Sequence, residues 1–172
     1  DEIANAIVNA LKNELNIGLE AVKVESATDN LDAYDLYLKA RSLFIARQNL
    51  DIANQLFEQA TRLDPGFALA WEGLAASHHV SSDWLAGDGI DHDQLAMSAA
   101  EKSLALNADL SMPYAVIGML RSQQQPNDFL SARENLDMAL AHDPKNTTAW
   151  LWSGILNKAL GYADRAIKDF QN

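Results

Sequence analysis

The chain has 172 residues, 48% of them hydrophobic, and its 24 acidic side chains outnumber 13 basic ones, for a net charge of −11. That is enough apolar material for a core, but it opposes a nucleic-acid surface, which needs a stripe of Lys and Arg to displace counterions from phosphate; the basic residues here stand singly. Cysteine is absent, which removes disulfides, thiolate metal sites and cysteine catalysis without deciding the compartment, and no apolar run nears the roughly 18 residues of a membrane span.

In chain order, residues 2–15 predict an amphipathic helix, with Ile3, Ile7, Val8, Leu11 and Leu15 on one face and Asn5, Asn9, Lys12 and Asn13 on the other. Residues 16–30 read as a linker of turn and cap residues. Helices follow at about 31–48 and 50–63. In the second of these Ile52, Ala53, Leu56, Phe57, Ala60 and Leu63 recur at three- and four-residue intervals. Asp64-Pro65 closes it, because proline biases the preceding residue out of the helical region.

The pattern then recurs. Ala53, Phe57, Ala60 and Pro65 are matched by Ala96, Ala100, Ser103 and Ala108, and by Ala132, Leu136, Ala139 and Pro144. A fourth copy begins with Ala166 and Phe170. Each copy follows a helical stretch opened by a large aromatic: Tyr37, Trp71, Tyr114 and Trp150, spaced 34, 43 and 36 residues apart. The basic unit is therefore near 34 residues, with two insertions. One lies at Ser81–Asp93, after a helix that should end near Val80, with Asp91 or Asp93 as N-cap of the next helix. The other lies at Gln123–Asp128. In the fourth copy Leu160-Gly161-Tyr162 predicts a tight turn.

This pattern resembles the tetratricopeptide repeat, W-x2-L-G-x2-Y…A-x3-F…P, over residues 31–172. The resemblance implies an all-α fold, an α-solenoid of antiparallel helix pairs stabilised by stacking. Small residues such as Ala53, Ala96, Gly118, Ala132 and Gly154 would let helices approach closely. The repeats would span about 34–67, 68–110 with a long loop at 81–93, 111–146 and 147–172, the last truncated. Residues 1–30 would be the N-terminal helix and linker, the end of a preceding domain. The opening Asp1-Glu2-Ile3 and the stop at Asn172 suggest a piece of something longer. Leu31-Asp32-Ala33-Tyr34-Asp35-Leu36-Tyr37-Leu38-Lys39-Ala40-Arg41 further resembles the first repeat of bacterial multidomain signalling proteins. In those, an adenylate-cyclase or winged-helix domain and a TolB-like domain precede the repeats. The implication is a protein-interaction or scaffolding module, the regulatory arm of a cytoplasmic or periplasmic bacterial protein.

In such arrays the first helix of each repeat lines a concave groove that binds protein or peptide. The groove-facing positions would be Asp35, Leu38, Ser42 and Ile45; Leu69, Glu72, Ala76 and His79; Met112, Ala115, Met119 and Ser122; Thr148, Leu151, Ile155 and Lys158. Much of that face is apolar, which marks a partner surface. The rival occupant is the helix at 2–15, whose own apolar face needs cover. A carboxylate clamp for chaperone tails is not expected, since Leu38, Ser42, Gly73, Met112 and Val116 stand at its positions. Self-association into a homodimer is the alternative of the same class. From another class, a metal-dependent sensor or enzyme could use His78, His79, Asp83, Asp88, Asp91, His92 and Asp93. Against it, the spacing fits neither a calcium loop nor H-E-x-x-H, and Asp and Gly are ordinary loop residues. No cofactor, no metal and no catalytic residue is expected, for no nucleophile elbow, phosphate loop or dinucleotide fingerprint is present.

Overall fold

The computed structural model describes residues 27–172; the helix predicted at 2–15 and most of the linker lie outside them. Eight helices and no strand occupy the described residues: α1 (Leu31–Ala46), α2 (Leu50–Leu63), α3 (Ala68–Trp84), α4 (His92–Leu106), α5 (Ser111–Gln123), α6 (Phe129–His142), α7 (Thr147–Ala159) and α8 (Ala163–Asp169). Each helix packs on the next. Beyond that, α1 lies beside α3, α3 beside α5 and α5 beside α7, and a side-chain contact joins α3 to α7, while the even-numbered helices do not pack on one another among the described residues. First helices that converge while second helices splay apart describe a curved stack with α1, α3, α5 and α7 on the inside. This is an all-α solenoid of helix pairs.

The repeated residues hold the pairs together. Ala53, Ala60, Ala96, Ala100, Ser103, Ala132, Leu136 and Ala139 are all fully buried, and Phe57 nearly so. The helices α2, α4 and α6 also end in the same way. Asp64, Asn107 and Asp143 leave the helix in extended backbone, and their N–H groups still donate to Ala60, Ser103 and Ala139. Their side-chain Oδ1 atoms then accept from the N–H two residues on, at Gly66, Asp109 and Lys145, over 2.9, 3.0 and 2.9 Å. Such an Asx turn reverses the chain without a helical hydrogen bond. Asn107 performs it without a following proline, so Leu106-Asn107-Ala108 is the equivalent of Leu63-Asp64-Pro65.

The opening aromatics seal neighbouring pairs. The Trp71 and Trp150 indoles donate to the Pro65 and Pro144 carbonyls, at 3.0 and 2.9 Å. Tyr37 packs on Phe57 and Phe67, and Tyr114 stacks on His142 with the rings 2° from parallel.

Two expected boundaries move. α1 stops at Ala46, where Arg47 takes φ +53°. α3 does not end at Val80 but runs on to Trp84, so the loop at 81–93 shrinks to 85–91. Ser81 is buried: its hydroxyl donates to the Ser77 carbonyl at 2.8 Å and accepts from Asn54 at 2.9 Å. A serine that looked like a turn residue thus bonds back onto its own helix, and α2 packing extends α3 by a turn. α4 accordingly begins at His92, capped by Asp91, whose Oδ1 accepts from Gln94 N at 3.0 Å. The turn between α7 and α8 is tight as predicted, with Gly161 at φ +82°.

Candidate functional site

On the inner side, α1 and α3 part around a hollow of about 240 Å³, closed at one end by Met112 of α5. Leu69, Glu72 and Met112 meet there, as their helical spacing predicts. From α1, however, the lining comes from Tyr37, Arg41, Phe44 and Ile45. Leu38 and Ser42 are exposed on α1 but do not line this hollow. Of the α1 positions expected to face the groove, Ile45 lines the hollow, while Tyr37 and Arg41 stand there one position before Leu38 and Ser42. The helical spacing of Tyr37, Arg41 and Phe44 is the sequence signal for this face.

Glu72 stands at the wall between this hollow and a second one, edged by Asp109, Ser111, Asp143 and Lys145. It has no hydrogen bond and no ion pair among the described residues. Burial raises its pKa to about 7, against the Arg41 guanidinium, which lowers it. Burial also raises Tyr37, whose shift Arg41 opposes and Glu72 adds to. The carboxylate is half-buried in an apolar wall, where desolvation disfavours its charged form.

The other predicted positions scatter. Ala115 is 0% exposed, packed in the core with Ala132, Leu136 and Ala149, so it is not a groove residue; the small side chain lets α5 lie close to its neighbours. His79 is not open either. Its ring meets Trp152 of α7 edge-on, with centroids 4.9 Å apart, which ties together helices of the second and fourth pairs. Burial lowers the His79 pKa, although Asp93 and Asp83 oppose it. Leu151 and Ile155 are exposed, Met119 is half-buried, and none of the three lines the hollow. The inner surface thus carries a hollow at the first two pairs and, farther along, the His79–Trp152 contact with Leu151 and Ile155 left exposed.

The Asp/His segment divides into separate tasks. His78 and His92 are buried, with their Nδ1 atoms 2.8 Å apart, and His92 Nε2 lies 3.0 Å from Asp88 Oδ2. One proton assignment satisfies both contacts with neutral rings: His92 donates from Nε2 to Asp88, and His78 donates from Nδ1 to His92. Burial first, and then His92, lower the His78 pKa to about 4. The Ile90 N–H, then the His92 hydrogen bond, hold Asp88 below its usual value. Asp83, Asp91 and Asp93 face solvent. Among the described residues no three His, Asp or Glu side chains converge as metal ligands would.

No family model matches the sequence, and no curated protein does. Two solved structures, titled "Crystal structure of MamA" and "Crystal structure of MamA protein", are similar to the chain with a TM-score of 0.58 each. Each is 18% identical over 97% of this chain, and the match covers 82% and 76% of those chains respectively. That likeness is one of fold: a tetratricopeptide-type helical solenoid.

Proposed function

We propose that this chain is a protein-interaction module, without catalytic chemistry, that receives a segment of a partner protein on its inner face. The observation that carries the reading is the hollow between α1 and α3, apolar on most of its walls and open to solvent beside exposed Ile45. A fold of stacked helix pairs offers such a face without further construction. The resemblance of residues 31–41 to the repeats of bacterial signalling proteins extends the reading to a regulatory arm. The charge of −11 speaks against nucleic acid as a direct partner.

Peptides selected from a random display library on the purified chain test the reading. Binding is expected to fall in Ile45→Glu, which charges the mouth of the hollow, and to persist in Leu63→Glu, an exposed position on α2. Equal binding to both variants would remove the inner face as the contact surface.

Self-association is favoured by a different observation. Leu31 and Tyr34 at one end of the stack and Ile167 and Phe170 at the other are exposed. End-to-end contact would be heterologous, giving rings or open chains. Light scattering would then show a mass that rises with concentration and returns to the monomer in Phe170→Glu. A constant monomer mass leaves only the first reading.

A further inference from the structure

We infer that Glu72 is the recognition point for a cationic side chain, so that the partner segment presents a Lys or Arg flanked by apolar residues. The inference rests on the groove reading above and gives it a chemistry.

Three observations carry it. First, Glu72 is half-buried in a mostly apolar wall and makes no hydrogen bond or ion pair among the described residues, so its carboxylate is open to a donor from outside. Second, it borders both hollows, so a side chain lying in either one reaches it. Third, the charged groups lining the two hollows, Glu72 included, sum to a negative charge, with Arg41 the cation that acts on Glu72 itself. Arg41 and Tyr37 face it from α1, Met112 is the contribution of α5, and Asp109, Asp143 and Lys145 edge the second hollow. Three carboxylates thus stand against two cations in a chain that is acidic throughout. Arg41 is exposed and well hydrated already, so an anionic ligand would gain little from it and would meet Glu72 unscreened. A Lys or Arg ammonium or guanidinium would supply the donor that Glu72 lacks, while its methylene stem lies along Tyr37, Phe44 and Leu69.

The test uses the same display selection, performed at pH 8, where Glu72 is ionised. Selected peptides are expected to be enriched in Lys or Arg beside apolar residues. Their affinity should fall about tenfold in Glu72→Gln, the cost of losing one charged hydrogen bond, and should not fall in Asp137→Asn, which removes an exposed carboxylate on α6 away from both hollows. Lowering the pH from 8 to 6 protonates Glu72 and should weaken binding to the unmodified chain, while Glu72→Gln stays level. Circular dichroism of each variant confirms that its helices are retained. Peptides that lose binding in Ile45→Glu yet lack basic residues, or bind Glu72→Gln equally well, would overturn the cation and leave the groove standing. Peptides indifferent to Ile45→Glu, or no selected peptide at all, would overturn both.

Discussion

Glu72 carries a measurable consequence for the free protein. Its carboxyl pKa of about 7 lies above the ordinary 4.5. The folded state therefore holds a proton that the unfolded chain releases between these values. Stability from this group is present below pH 4.5 and is lost as the pH rises through 7. Glu72→Gln is expected to stabilise the chain at pH 8 by about 1–3 kcal/mol and to be close to neutral at pH 4.5. Denaturant titrations at the two pH values check this, and equal shifts at both would deny the buried charge. Glycines at close approaches make a second comparison at this scale. A Cβ on Gly73 would meet Phe57 Cε1 at 2.3 Å, and one on Gly154 would meet Phe170 Cε1 at the same distance. Phe57 is 1% exposed and packed against Tyr37 on one side with the hollow on another, whereas Phe170 is 49% exposed with solvent beside it. Gly73→Ala should cost about 1–3 kcal/mol through overpacking. In Gly154→Ala the ring can move, and the gain in helix propensity, about 1 kcal/mol, should leave the melting temperature unchanged or higher.

The element that differs most from its counterparts is α3 with the loop behind it. Ser77 and Ser81 of α3 and Asn54 of α2 are all buried, and Asn54 donates to Ser81 across the contact of the two helices. The same burial turns a histidine pair into a clasp, with His78 and His92 joining α3 to α4 and Asp88 drawing in the loop. His78, lowered to about 4 from 6.5, binds its proton more readily in the unfolded chain. Its stabilising contribution is therefore complete above pH 6.5 and is lost as the pH falls toward 4. The sign is opposite to that of Glu72. His78→Gln should flatten the acid limb of the melting curve between pH 6.5 and 4, and an unchanged limb would assign that limb to other groups such as His79.

At the scale of the whole molecule, a stack whose pairs touch only their neighbours would have a stability that sums over interfaces. The inner contact of His79 with Trp152 breaks that rule by joining the second pair to the fourth. Trp152 also packs against both of the larger core clusters. A double-mutant cycle of His79→Ala and Trp152→Ala should give a coupling of about 0.5–1.5 kcal/mol. Small-angle scattering of Trp152→Ala should show a more open curve. Strict additivity with an unchanged radius of gyration would reduce the contact to a passive one.

The sequence by itself determined the helix pairs, their number among the described residues and the fold. Small residues at fixed intervals, Asx turns and opening aromatics are local devices, each written within one 34-residue unit. Tertiary structure alone decided which face of α1 turns inward, that Ala115 is buried and His79 covered, and that α3 runs through Ser81. Those outcomes depend on what stands opposite each residue across the stack. The curvature that brings α7 against α3 is the accumulated result of every interface, and no single repeat encodes it.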